Sequence, residues 1–105
     1  MVTTKSNLFT KEEVELSEIG KALSHPARVK ILKVLSEMNV CMMGDIADLL
    51  PLAQSTVSQH LKELKRVGLI VGEIDGPKMC YCINEKELSK AKEMLTSLLN
   101  NICKC

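Results

Sequence analysis

The apolar positions of this chain recur mostly at intervals of three and four, with one stretch near the middle where they alternate. Near the start, FTKEEV reads as a helix opening. Thr10 can accept from the amide of Glu13 while the Glu13 carboxylate reaches back, and Phe9 can pack on Val14. The helix is expected over residues 11–23. SHPAR then stops it and begins a second, because Pro26 suits a first helical turn and Ser24 or His25 can cap it. Val29, Leu32, Leu35 and Met38 follow at steps of three, flanked by Ile31 and Val34, and predict an amphipathic helix. GDIADLL predicts a short third helix, capped by Gly44 or Asp45, with Ile46, Leu49 and Leu50 inward and Pro51 ending it.

QSTVSQHLKELKRVG carries the clearest periodicity. Val57, Leu61, Leu64 and Val67 share one stripe, and Gly68 stands where a left-handed terminator belongs. LIVGEI and KMCYCI flank DGP and predict two short strands joined by a turn. A last helix, over residues 85–101, places Leu88, Ala91, Leu95, Leu98 and Ile102 at steps of 3, 4, 3 and 4. Such stepping is a packing seam. Met94 and Leu99 widen it beyond what one face of a monomer uses, so the seam asks for a second copy.

Length and composition narrow the class. With 105 residues the chain is expected to form one domain, residues 1–105, with 1–9 as an N-terminal arm and 85–105 as a dimerisation helix with a thiol tail. Apolar residues make up 46% and aromatic residues only 2%, so the core must come from aliphatic side chains, which favour helices. No stretch approaches the roughly 18 apolar residues of a membrane span, and no cleavable leader is visible, so a cytoplasmic location is expected. In a reducing compartment five cysteines, an odd number, read as thiols or soft-metal ligands rather than a disulfide framework. A thiol enzyme is disfavoured. There is no C-x-x-C at a strand-to-helix junction, no thiol beside a paired histidine and no glycine-rich phosphate loop. Net charge is only +1, so any case for nucleic acid must be local.

That local case exists. A short helix, a tight turn, a longer helix and a β-hairpin make a winged helix-turn-helix, giving a mainly α fold of about five helices with a small hairpin. Its second helix would enter the major groove of double-stranded DNA. Gln54, Ser55, Thr56, Ser58, Gln59 and His60 supply small hydrogen-bonding groups for base edges or phosphates. Lys62, Lys65 and Arg66 follow for the backbone, and Lys78 stands at the wing tip. The alternative for this face is an ordinary solvated surface.

LSHPARVKILKVL, DIADLLPLAQSTVSQHLKELKRVGLI and GEIDGPKMCYCIN resemble the arsenic-repressor family, ArsR/SmtB, of bacterial metal-sensing regulators, over nearly the whole chain from Val14 to Leu99. The resemblance implies a homodimeric repressor joined through its first and last helices. It would stay bound to an inverted repeat until a thiophilic inducer, trivalent arsenic or antimony, releases it. No cofactor is expected for folding.

Many members of that family hold a thiophilic ion in a pattern like ELCVCDL. Here NVCMMGDI leaves only Cys41 at that place. Members that bind through histidines of the last helix have no counterpart, since the only histidines are His25 and His60. The preferred ligand set is therefore Cys103 and Cys105, with Cys41 or a thiol of the other subunit as a third donor. Cys80 and Cys82 are the rival pair, two residues apart and on one face of a strand. Two other readings keep the DNA module: a redox or persulfide switch using a distant cysteine pair, and a regulator without thiol sensing in which the cysteines are small hydrophobes.

Overall fold

The computed structural model describes residues 8–38, 50–75 and 78–103. Four helices and one hairpin occupy them: α1 (Lys11–Ala22), α2 (Pro26–Met38), α3 (Gln54–Arg66), β1 (Ile70–Asp75), β2 (Lys78–Ile83) and α4 (Glu85–Ile102). The short helix expected on GDIADLL lies outside the described residues, except for Leu50, which is buried.

The local signals act as their chemistry requires. Thr10 and Glu13 close a reciprocal capping box, with Thr10 N–H donating to the Glu13 carboxylate at 2.9 Å and Glu13 N–H to the Thr10 hydroxyl at 3.1 Å. His25, not Ser24, caps α2: its Nδ1 accepts from the Ala27 amide at 3.0 Å, while the Ser24 hydroxyl turns back to the Lys21 carbonyl. The end of α3 is a Schellman motif. Gly68 takes φ +87°, its N–H reaches the Lys65 carbonyl at 3.0 Å, and Leu69 N–H reaches Leu64 at 3.1 Å.

α3 rests on α2 and on β1, α2 also meets β2, and α1 crosses α4. The core is Ile19 and Ala22 of α1, Ile31 and Leu35 of α2, Val57, Leu61 and Leu64 of α3, with Leu50, Leu69, Ile70 and Ala91. One expected position is corrected. Val29 is 42% exposed, and the buried stripe of α2 runs through Ala27, Ile31, Val34 and Leu35. Steps of three drift around a helix of 3.6 residues per turn, so a series spaced only by threes cannot stay on one face.

The hairpin is antiparallel with Ile70 opposite Ile83, Val71 opposite Cys82, Gly72 opposite Tyr81 and Glu73 opposite Cys80. Tyr81 and Ile83 pack on the core, so the period of two puts Cys80 and Cys82 on the other face, as expected. Asn84 starts α4: its backbone N–H donates to Leu69 at 3.0 Å and its side chain accepts from the Glu87 amide. Among the described residues no helix is long and apolar enough to cross a membrane.

A Cβ at position 68 would meet nothing closer than 3.7 Å, the flexible Glu87 side chain, so only backbone strain opposes it. Gly68→Ala should therefore lose about 1–2 kcal/mol in urea unfolding, and Gly68→Asn less, because asparagine tolerates the left-handed region. Equal stability of all three proteins would remove the terminator from the account.

Candidate nucleic-acid interface

Helix α3 has two faces. Burying Val57, Leu61 and Leu64 fixes its rotation about its own axis, and the opposite side must then face out. Ser55, Ser58, Gln59 and Lys62, spaced i, i+3, i+4 and i+7, form that outer stripe and all four are exposed. Gln54 at the first turn and Lys65 near the last are exposed as well, and Thr56 is half-buried at the edge. The first turn carries no acidic residue, so the positive end of the helix dipole is not cancelled there. Lys78 opens β2 in register with Asp75, at the tip of the hairpin.

Two of the sequence-predicted contacts are engaged within the protein. His60 is half-buried and its ring lies against His25, with centroids 4.3 Å apart and planes at 44°. The cap of α2 and the middle of α3 thus meet through two imidazoles. Burial holds His60 below its ordinary pKa of 6.5, and the neighbouring His25 and Arg28 push it the same way. His60 Nδ1 and Arg28 Nε are buried without a hydrogen-bond partner among the described residues. Histidine spacing in the sequence gave no sign of this pairing, because the two residues are joined only by the packing of α2 on α3.

Arg66 is engaged on both sides. Its guanidinium donates to Glu63 through Nε at 3.1 Å and a terminal nitrogen at 2.8 Å, and to Glu18 of α1 at 2.7 Å. The hydrogen bond from Arg66 holds the Glu63 carboxyl below the usual carboxylate range, and the two carboxylates raise the guanidinium further above its ordinary value. Sequence reasoning placed Arg66 with the phosphate contacts and missed both partners. Glu63 at i−3 was a visible signal; Glu18 was not.

The thiols are distributed over two regions. Cys103 is an exposed free thiol just past α4, and Cys80 is a half-buried free thiol in β2. Cys82 is disulfide-bonded. Of the cysteines expected as thiols or soft-metal ligands rather than a disulfide framework, Cys80 and Cys103 are thiols and Cys82 is not. Cys80 and Cys82 are therefore not a pair of thiols in this form. Cys41 and Cys105 lie outside the described residues, and among the described ones no three His, Cys, Asp or Glu side chains gather to hold a metal.

The seam of α4 divides in two. Ala91 is buried and Leu88 and Leu95 are half-buried toward the core, whereas Leu98, Leu99 and Ile102 are 40, 56 and 61% exposed. An apolar groove of about 320 Å³ runs between α1 and α4, bordered by Leu23, Leu88, Leu95 and Leu99.

A base whose pKa is lowered by folding makes stability depend on pH in one direction. The contribution of neutral His60 is fully present above its ordinary pKa of 6.5 and is lost as pH falls below that value. The unfolding midpoint should therefore decline between pH 7 and 5.5, and His60→Gln should flatten that decline. An unchanged pH profile in the variant would contradict the burial of the neutral ring.

A model of bacterial regulatory proteins of the arsR family matches residues 25–71. Over 79 residues the chain is 37% identical to the HTH-type transcriptional regulator CmtR of Mycobacterium tuberculosis, which covers 75% of this chain. The chain spans 66% of that relative's length. It is 30% identical over 89 residues to the cadmium resistance transcriptional regulatory protein CadC homolog of Staphylococcus aureus, covering 85% of this chain and 74% of that protein. A crystal structure of an ArsR family transcriptional regulator superposes with a TM-score of 0.73 at 19% identity, over 88% of this chain and 94% of that one, a likeness of fold. With the winged-helix architecture, the outward polar stripe and these relatives together, the chain belongs to the arsR family of bacterial regulatory proteins.

Proposed function

We propose that this protein is a homodimeric transcriptional repressor that holds an inverted-repeat operator with α3 and releases it when a thiophilic ion binds. The observation that carries the reading is the two-faced α3. Its apolar side is locked in the core, so Gln54, Ser55, Ser58, Gln59 and Lys62 project together from the surface. Amide and hydroxyl groups of this size suit base edges in a major groove, and Lys62 and Lys65 suit the phosphates beyond them. A two-fold axis would set two such helices about 34 Å apart. Leu98, Leu99 and Ile102 support that axis, since three exposed aliphatic side chains on one helix end are costly to leave in water.

For the inducer, Cys103 and Cys105 at the end of the seam are the proposed ligands, with Cys41 as the third. Thiolates select soft ions, so trivalent arsenic and antimony fit. The relative named for cadmium resistance brings Cd²⁺ into the same class. A ligand at the seam would bear on the geometry of the two subunits, and so on the spacing of the two α3 helices. The disulfide at Cys82 favours a second reading on the same fold, in which oxidation of a wing cysteine is the signal.

Leu98→Glu should convert the dimer to monomers in analytical ultracentrifugation and abolish tight operator binding. A variant that sediments as the unaltered protein does would place the interface elsewhere.

Arsenite and Cd²⁺ titrated into the reduced protein on operator DNA separate the inducer readings. Cys103→Ser/Cys105→Ser should resist release and Cys80→Ser/Cys82→Ser should not. Release of the tail variant as readily as the unaltered protein removes those ligands. Release by oxidant alone, with no effect of either ion, supports the wing thiol. Linkage requires operator DNA to weaken ion binding by the same factor that the ion weakens DNA binding, with a coupling of about 1–3 kcal/mol. Equal ion affinity with and without DNA would rule out an allosteric inducer.

A further inference from the structure

We infer that Arg66 is a positioning residue, which aims the DNA-binding helix by tying its last turn to α1 through Glu18, and is not itself a phosphate contact. The inference rests on the reading of α3 as the DNA-binding element and adds a role to a residue of that element.

α1 and the end of α3 do not close on each other. A cleft of about 220 Å³ lies between α1, the end of α3 and α4, with Val14, Ile19, Leu69 and Met94 among its walls. Across this gap the Arg66–Glu18 pair, at 2.7 Å, is the side-chain hydrogen bond that joins α1 to α3 among the described residues. One turn earlier on α1, Glu15 accepts from Lys90 of α4 at 3.3 Å. Two carboxylates at i and i+3 on one face of α1 thus bracket both neighbours, the DNA-binding helix and the last helix. Glu63 holds the guanidinium through Nε and through the same terminal nitrogen that reaches Glu18, which fixes the direction in which that nitrogen points. A planar donor fork shared between two carboxylates sets an angle, which a lysine at the same place would not do.

The Arg66–Glu18 pair is about half exposed, so it adds little to global stability. Its effect is on orientation. The far end of α3 is the end without a side-chain cap, at Ala53, so a tether at Arg66 acts on the whole length of the helix.

The two roles for Arg66 predict opposite signs for a change at its partner. Glu18→Gln removes a negative charge near the DNA. If Arg66 served the phosphates, that change would free the guanidinium and tighten binding. If Arg66 aims the helix, it weakens binding.

The test uses a duplex selected from a random-sequence pool by the unaltered protein, with affinity read by fluorescence anisotropy over a range of salt. Glu18→Gln, Arg66→Gln and the double variant are compared at a temperature well below unfolding, where the folded fraction, and hence any plain loss of stability, does not enter. Both single variants should weaken specific binding by about fivefold, the upper end for an exposed pair, and the double variant should be no weaker than the worse single one. The slope of log affinity against log salt should stay unchanged in Arg66→Gln, and affinity for an unrelated duplex should hold. The inference is overturned if Glu18→Gln binds as tightly as or more tightly than the unaltered protein, or if Arg66→Gln lowers the slope by about 0.9, the loss of one phosphate contact. Failure of the unaltered protein to select any duplex is visible without a variant and overturns the regulator reading together with this one.

Discussion

The burial of one side of α3 is the constraint on which the rest of the molecule depends. Leu64 has no exposed surface, and Val57 and Leu61 have almost none. A helix of 13 residues whose three largest apolar groups are held in this way cannot roll without opening a void in a core that, among the described residues, has eleven buried side chains. Its polar stripe is therefore presented in one direction only. The left-handed Gly68 then turns the chain so that Leu69 and Ile70 return into the same core. The helix that faces outward and the strand that begins the wing are thus fixed by the same few contacts.

Much of this was legible in the sequence, and for physical reasons. The capping box at Thr10 and Glu13, the glycine after Val67 and the alternation through Tyr81 and Ile83 are local rules, set by residues a few positions apart. What escaped prediction depends on residues far apart in sequence. Glu18 and Arg66 are 48 positions apart, and His25 meets His60 only because α2 packs on α3. Among the described residues of α2 only Val29 departs from the expected face, and for a different reason. Val29 fits a step of three, but a real helical turn carries it away from Leu35 and out to solvent.

The charged groups of the outer face serve unlike ends even though they share a composition. Lys62 and Lys65 are exposed with no ion pair among the described residues, whereas Arg66, one residue further, is tied to two carboxylates. A basic run on one helix therefore cannot be read as a row of equivalent groups. The lysines keep flexible stems that end in solvent, and the arginine is spent on the protein itself.

The hydrogen bond from the Asn84 amide to the Leu69 carbonyl joins the residue that enters the hairpin to the residue that leaves it. The hairpin is thus closed at its base, and whatever lies beyond the Asp75–Lys78 rung hangs from a fixed root. Such a root lets the hairpin differ in span and charge from one chain of this scaffold to another without a new foundation, because its base is closed by backbone atoms that every side chain leaves in place.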